Sequence, residues 1–394
     1  MMNKIEKKIN KILSKDNKYN GNELEYVLQV LDSEDMGRKQ VPFVQRLESK
    51  FCEVFGSKYA IAHNSGTSTL HTCLVAAGIG PDDEVISPAH TVIMNSFVTL
   101  HQGATTVYVD VDPETFNMCP VDLERKITDK TKAIQVVHMH GNPADMERIM
   151  EIARHHNIPV IEDSAQCVLG KINGKLVGTF GDMASWSFET KKHLSGGEGG
   201  MVSTDNEQFA TIIRKTGGLG YKTLAAGQAL RQLLPKDFQN PHYKRHDTLG
   251  YNYRMNEITA AVVLGQLERV EQLVERRQCI AKMYDRAFDD VPFITPQKIL
   301  PGHTNTYWTY TVKCEGRDWF KIYEAVKQAG GDGFYGGLSV PFREPVMSKY
   351  KHRVVDCPNS ELIQPMMMQF KTNYRNLEQA ERKITILRDV INGF

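Results

Sequence analysis

The segment at 185–206, SWSFETKKHLSGGEGGMVSTDN, holds the densest set of residue types able to do covalent chemistry. Lys191 and Lys192 stand side by side, followed by Gly196, Gly197, Gly199 and Gly200 and then a short apolar run. Glycines there let the backbone turn tightly and approach a bound group. A lysine in a confined site gives up its proton more readily than one in water, because desolvation penalises the ammonium, and the neutral amine can attack a carbonyl. A solvated surface pair would show the same two letters. Upstream, Asp163 closes the apolar run IPVIED at 158–163. At the carboxyl edge of a parallel sheet such an acid points into the crevice where ligands bind. It would equally cap a helix beginning in SAQCVLG. Earlier still, NSGTSTL at 64–70 follows a predicted strand and opens a helical stretch. The amides of a helix start, with the hydroxyls of Ser65, Thr67 and Ser68 nearby, suit a phosphate. The spacing matches neither GxxxxGK[ST] nor GxGxxG, and helix capping explains the same residues.

These groups need a scaffold. From about residue 45, helical patterns alternate with short apolar, β-branched runs: YAIAH at 59–63, EVISP at 84–88, TTVYVDV at 105–111, KAIQVVHM at 132–139, IPVIED at 158–163 and MVST at 201–204. Strands buried on both faces read this way, and helices between them imply crossovers, so the pattern predicts an α/β fold with a largely parallel sheet covered by helices. Near residue 254 the pattern becomes that of one long helix, MNEITAAVVLGQLERVEQLVERRQCIAKMYDRAF, leading to a smaller α+β C-terminal domain that contains YWTYTVKC at 307–314. The division expected is an N-terminal helical segment at 1–45, a large α/β domain at 46–255, and a linking helix with a small domain at 256–394. The first segment has Ile5, Ile9, Ile12 and Leu13 at helical spacing among lysines. This amphipathic stripe is expected to pack on the body or on a partner subunit in preference to a membrane surface. Residues 216–250 have little regular pattern, and a segment that long without structure is more often functional than not.

Composition removes other classes. With 394 residues, 41% hydrophobic and 24% charged, the chain can bury a substantial core, and disorder or a disulfide-stapled mini-fold is excluded. Its 48 basic and 47 acidic residues leave a net charge of +1 and no nucleic-acid footprint. No apolar run approaches the roughly 20 residues that span a bilayer, so a cytoplasmic protein is expected. The seven cysteines include no Cys-x-x-Cys pair, which disfavours a zinc site.

The order strand-SGT, then IEDSAQ, then SFETKK followed by GEGG resembles the DegT/DnrJ/EryC1/StrS family of pyridoxal-phosphate-dependent sugar aminotransferases. GPDDEVISPAHT at 80–91, GATTVYVDVDPETFNM at 103–118, GNPADM at 141–146 and GYNYRMNEITAAVVLGQLERV at 250–270 extend the likeness from about residue 20 to 390. It implies the aspartate-aminotransferase type of fold (fold type I), with a mainly parallel seven-stranded sheet, and pyridoxal 5'-phosphate as cofactor. Counted back from GEGG, the lysine that forms the Schiff base is Lys192. Asp163 pairs with the pyridinium nitrogen, so that the ring acts as an electron sink. Gln166 hydrogen-bonds the ring hydroxyl, and Gly66, Thr67 and Ser187 hold the phosphate. Asn252 reaches the phosphate of the neighbouring subunit, which implies a homodimer with shared active sites. Where the family places an aromatic residue against the ring, this chain has Val92, and His90 is the alternative cover.

The implied reaction moves an amino group from L-glutamate to a keto group of a nucleotide-linked deoxysugar, in a pathway to O-antigen, capsule or a related glycan. A large, doubly negative substrate calls for cations and aromatics. The 216–250 stretch offers Tyr221, Lys222, Arg231, Lys236, Tyr243, Lys244, Arg245 and His246, and the C-terminal part Phe334, Tyr335 and Arg343. Tyr221, His246 and Arg343 are the first choices. The competing readings are a sugar 3-dehydratase, in which histidine replaces the lysine (here His193 is adjacent), and a non-catalytic regulatory member of the family.

Overall fold

The computed structural model describes residues 2–14, 17–33, 36, 42–228, 235–338, 340–350, 352–354 and 356–394. Strands β1 (Tyr59–His63), β2 (Glu84–Pro88), β3 (Thr105–Val109), β4 (Thr131–Val137), β5 (Val160–Asp163), β6 (Met183–Ser187) and β7 (Gly200–Thr204) form one sheet. Three short strands of the C-terminal part are β8 (Ile294–Pro296), β9 (Thr309–Cys314) and β10 (Tyr335–Gly336); β11 (His352–Val354) and β12 (Met367–Lys371) follow. The main sheet runs β1-β7-β6-β5-β4-β2-β3-β11. It is parallel from β6 to β11, and only β7 runs antiparallel to its neighbours. The seven expected strands are therefore present, and β11 adds an eighth on the outer edge of β3.

Consecutive strand residues point to opposite faces, and here both faces are covered. Ile86, Val107, Ile134 and Val160 pack with Ile149 and Ile152 of the helix Met146–His156. Their neighbours Val85, Ala133, Ile161 and Met183 pack with Leu70 and Leu74 of the helix Gly66–Ala76. A separate core holds the C-terminal part together: Tyr284, Phe288, Tyr310, Phe334 and Phe370 gather on the antiparallel sheet β8-β9-β12-β10. Phe334 is thus a core residue.

Two local expectations change. The single long helix is two, Glu257–Leu267 and Val270–Phe288, broken at Arg269, whose φ is −130°. The first half is buried nearly all round, in one cluster with Phe43, Leu47 and Phe51, whereas the second is amphipathic and turns one side to the small-domain core. At the break, the Arg269 guanidinium donates to the Lys18 carbonyl and to Glu23. The SAQCVLG stretch is a series of turns and not a helix, and Asp163 Oδ1 accepts from the Ala165 amide at 3.1 Å. The N-terminal helix Met2–Ile12 forms, with Ile5 and Leu13 half exposed and Ile9 and Ile12 half-buried. Among the described residues no helix is long and apolar enough to cross a membrane.

Candidate active site

The topology brings the predicted residues to one place. The carboxyl ends of the parallel strands lie along one edge of the sheet, which is where open α/β sheets bind ligands. Asp163 ends β5 and Ser187 ends β6. His90 follows β2, and His140 follows β4. The helix Gly66–Ala76 starts after β1, which lies parallel to β6 because both run antiparallel to β7.

Lys192 lies in the turn after β6, its amide donating to the Glu189 carbonyl at 2.9 Å. Its Nζ is 4.4 Å from the centre of the Trp308 ring. Desolvation lowers its pKa below the usual lysine value, and the Arg277 charge adds to that, against the attraction of Asp163 and Glu189. Asp163 shows the converse. Burial raises its carboxyl, opposed by Lys192, by the Ala165 amide and by a hydrogen bond from Asn95. An enclosed amine and an enclosed carboxylate in each other's field make a site that can hold and move protons. Lys191 faces elsewhere: its Nζ donates to the Tyr335 hydroxyl at 2.8 Å. His193 is turned away too, bonded to the Thr306 carbonyl at 2.9 Å. The three adjacent side chains thus have three different environments, and only that of Lys192 includes Asp163.

The floor of the site is fixed by a buried network that the sequence reading did not single out. Glu162 accepts from the amides of Gly178, Phe180 and Gly181 at 2.6 to 2.7 Å and from His138 Nε2 at 3.1 Å. Burial alone would raise its carboxyl, yet these bonds bring it below the ordinary value. His138 Nδ1 accepts from the Ala144 amide at 3.1 Å, which leaves Nε2 as the donor to Glu162. Gln166, fully buried, accepts from the His140 amide at 2.8 Å. The HMHG pattern at 138–141, overlapping the end of the strand predicted at 132–139, was the signal available.

These residues fit a phosphorylated aromatic cofactor. The first-turn amides of a helix have no intrahelical acceptor, which leaves those of Gly66 and Thr67 for an anion, while Ser65 Oγ caps the Ser68 amide at 3.1 Å. A methyl group on Gly66 would lie 2.9 Å from Ser187 Cβ, so helix start and strand end meet across a glycine. Polar atoms nearby are buried without a partner: both ring nitrogens of His90, His140 Nε2, Thr91 Oγ1 and Ser164 Oγ. Such atoms call for a bound group. Burial alone drives His90 down to about 4, so it is a neutral ring at physiological pH. Val92 is half buried beside it.

The other expected residues are more dispersed. Asn252 is exposed, and its carbonyl accepts from Asn64 Nδ2 at 3.3 Å, next to the helix start. The rings of Tyr221 and His246 lie tilted against each other with centres 4.5 Å apart, and His246 Nδ1 meets the Leu219 carbonyl at 2.8 Å. Arg343 is paired with Glu361 on the surface, with no contact to the Lys192 group among the described residues. Arg231 lies outside the described residues. A cavity of about 700 Å³ opens beside Trp308, lined also by Lys191, Tyr335, Gln369, Lys371 and Asn373.

The DegT/DnrJ/EryC1/StrS aminotransferase family model matches residues 17–383. The chain belongs to that family. It is a pyridoxal-phosphate-dependent aminotransferase. Among its relatives, the GDP-perosamine synthase of Caulobacter vibrioides is 39% identical over 298 residues, 74% of each chain. That of Escherichia coli O157:H7 is 39% identical over 292 residues, 74% of this chain and 75% of the relative. The X-ray structure of an aminotransferase from Psychrobacter cryohalolentis superposes with a TM-score of 0.83 at 27% identity, covering 94% of this chain and 95% of that one.

Proposed function

We propose that this aminotransferase moves the amino group of L-glutamate to a keto carbon of a nucleotide-linked deoxysugar, in the cytoplasm and as a homodimer, for O-antigen, capsule or a related glycan. The observation that carries the reading is the Lys192–Asp163 arrangement at the sheet edge, an enclosed amine in the field of an enclosed carboxylate. The sugar acceptor is supported by family membership and by relatives named GDP-perosamine synthase.

Gly66, Thr67 and Ser187 would hold the cofactor phosphate, Asp163 would pair with the ring nitrogen, Gln166 would bond the ring hydroxyl, and His90 and Val92 would cover a face. Asn252 would reach the phosphate in the partner subunit. Bound there, pyridoxal phosphate supplies an aldehyde carbon that accepts amines and a ring that delocalises electrons. Lys192 Nζ takes the proton from the donor's α-carbon and later returns one to the acceptor carbon, a role for which its depressed basicity suits it. Burial raises the Asp163 carboxyl against the attraction of Lys192, and a ring cation bound opposite it would draw it towards the ionised form. Because Lys192 approaches from one side only, the new amine has a single configuration. The cavity beside Trp308 has room for a sugar, with Lys191 and Lys371 for its anionic groups, and Tyr221 and His246 are the further substrate contacts of this reading. Arg343 requires release from Glu361 before it can meet a diphosphate.

Purified protein incubated with glutamate and a panel of nucleotide-linked keto-sugars is expected to release 2-oxoglutarate with at least one member. No release with any of them, from protein that holds its cofactor, would remove the proposed substrate class.

A further inference from the structure

The helix Val270–Phe288 carries a buried arginine that no acid balances. Arg277 is 5% exposed. One guanidinium nitrogen donates to the Trp308 carbonyl at 2.9 Å and to Thr372 Oγ1 at 3.1 Å. The other donates to the carbonyls of Lys191 and Lys192 at 3.1 and 3.0 Å. All four acceptors are neutral, and among the described residues no carboxylate pairs with it. Burying a cation without a counter-ion is costly, and burial alone draws this guanidinium down to about 9. A leucine or methionine would fill the space without that cost, so packing does not account for the residue.

Its contacts do. The Lys191 carbonyl that takes one guanidinium bond also accepts from Trp308 Nε1 at 3.1 Å. The main chain of Lys192, the main chain of Trp308 and the Trp308 ring therefore meet at one planar fork, and Lys192 Nζ lies against that ring. The fork joins a turn of the large sheet to the small-domain strands β9 and β12 that flank Trp308 and Thr372. We propose that Arg277 is a positioning residue for Lys192: its guanidinium fixes the turn and the tryptophan that aim the amine. The charged groups acting on the amine are then Asp163 and Glu189, which favour the ammonium, and Arg277, which opposes it. The imidazoles His140 and His193 are held neutral by burial. The inference rests on Lys192 as the lysine that carries the cofactor.

The test compares full-length wild type, R277K, R277Q and T372V. Trace acetylation of each cofactor-free protein across pH, read by mass spectrometry at the Lys192 peptide, gives the titration midpoint of that amine. R277Q is expected to raise the midpoint by about half a unit to one unit, as removal of a nearby like charge does, and R277K to leave it near wild type. Both lose the fork, so kcat of the reconstituted enzymes falls about tenfold or more with KM little changed. T372V, which keeps the charge and drops one acceptor, shows a smaller loss. Borohydride reduction and peptide mapping separate the two ways of failing. Trapping of a lysine other than 192 overturns the assignment of the cofactor lysine, and this proposal with it. Trapping of Lys192 together with a wild-type midpoint and kcat in R277Q overturns the role of Arg277 alone. If R277Q does not fold, R277K decides, and wild-type kcat in R277K refutes the anchoring.

Discussion

Replacing Gly66 by alanine puts the phosphate cradle to a quantitative test. The added Cβ would stand 2.9 Å from Ser187 Cβ, 3.2 Å from Ser187 Oγ and 3.5 Å from Ser187 Cα. Carbon atoms rest at about 3.5–4.0 Å, so helix start and strand end must separate by about 0.6 Å or more. Ser187 cannot easily yield, because it pairs with Gly200 of β7 in the middle of a sheet buried on both faces. The movement therefore falls on the first turn of the helix. Overpacking of this kind costs about 1–3 kcal/mol, reduced by the better helix propensity of alanine, so the apoprotein should lose about 1–2 kcal/mol. Displacing the amides of residues 66 and 67 weakens at least one charge-assisted bond to the phosphate, worth about 1.5–3 kcal/mol, or about 10- to 100-fold in cofactor affinity. Equilibrium dialysis against pyridoxal phosphate measures the affinity, and melting of the apoprotein the stability. In a double-mutant cycle, S187G removes the atom that the new methyl meets. G66A/S187G should recover about 1 kcal/mol of stability beyond additivity. Wild-type affinity in G66A, or strict additivity in the cycle, would refute the close approach as the reason for the glycine.

Three further outcomes follow from the site. K192A should lose the visible absorption of the bound cofactor and all turnover, whereas K191A, whose amine bonds Tyr335, should keep the band; absorbance spectra of the two variants decide between adjacent lysines. His90 is held at about 4 against an ordinary 6.5, so between these values the unfolded chain takes up a proton that the folded one refuses. Stability is therefore full above 6.5 and falls as the pH drops towards 4, by roughly 3 kcal/mol for this residue. Apoprotein H90F should show a shallower loss of melting temperature between pH 7 and 5, and an unchanged slope would refute the burial of that ring. E162Q replaces an acceptor of three amides and an imidazole by a group that must also donate, and should cost about 3 kcal/mol in apoprotein stability by denaturant titration. Full stability in E162Q would mean that the carboxylate is protonated in the native protein.

What was legible follows from what each element buries. YAIAH and EVISP match β1 and β2 residue for residue because strands covered on both faces need no polar alternation. MASWS escaped as a strand of its own because Ser185 and Ser187 are polar although buried. Their burial is satisfied by partners far away in sequence, such as Thr69, whose hydroxyl meets Ser185 Oγ at 2.7 Å. The long helix was read as continuous because its apolar spacing never lapses. Arg269 breaks it through contacts with Lys18 and Glu23, about 250 residues earlier, which no local window contains.

The same distinction separates the chemistry from the specificity. Asp163 and the helix start at Gly66 could be placed because strand ends and helix starts are local features, and the parallel topology carries them to one edge whatever the loops do, whereas Ser187, on a strand that went unread, came only with the family resemblance. Lys192 could be told from Lys191 only by counting from the glycines, and the physical difference between them, Trp308 against Tyr335, comes from the small domain. Arg277 was missed although a trace existed: it stands in phase with Ile280, Ala281, Tyr284 and Phe288, and a cation within an apolar stripe must have polar partners waiting for it. Arg343 was chosen for its charge alone, and charge alone does not reveal that Glu361 already occupies it. A cation on a surface loop takes whichever anion the fold supplies. Substrate residues on such loops therefore become readable only when the partner each side chain keeps in the free protein is known.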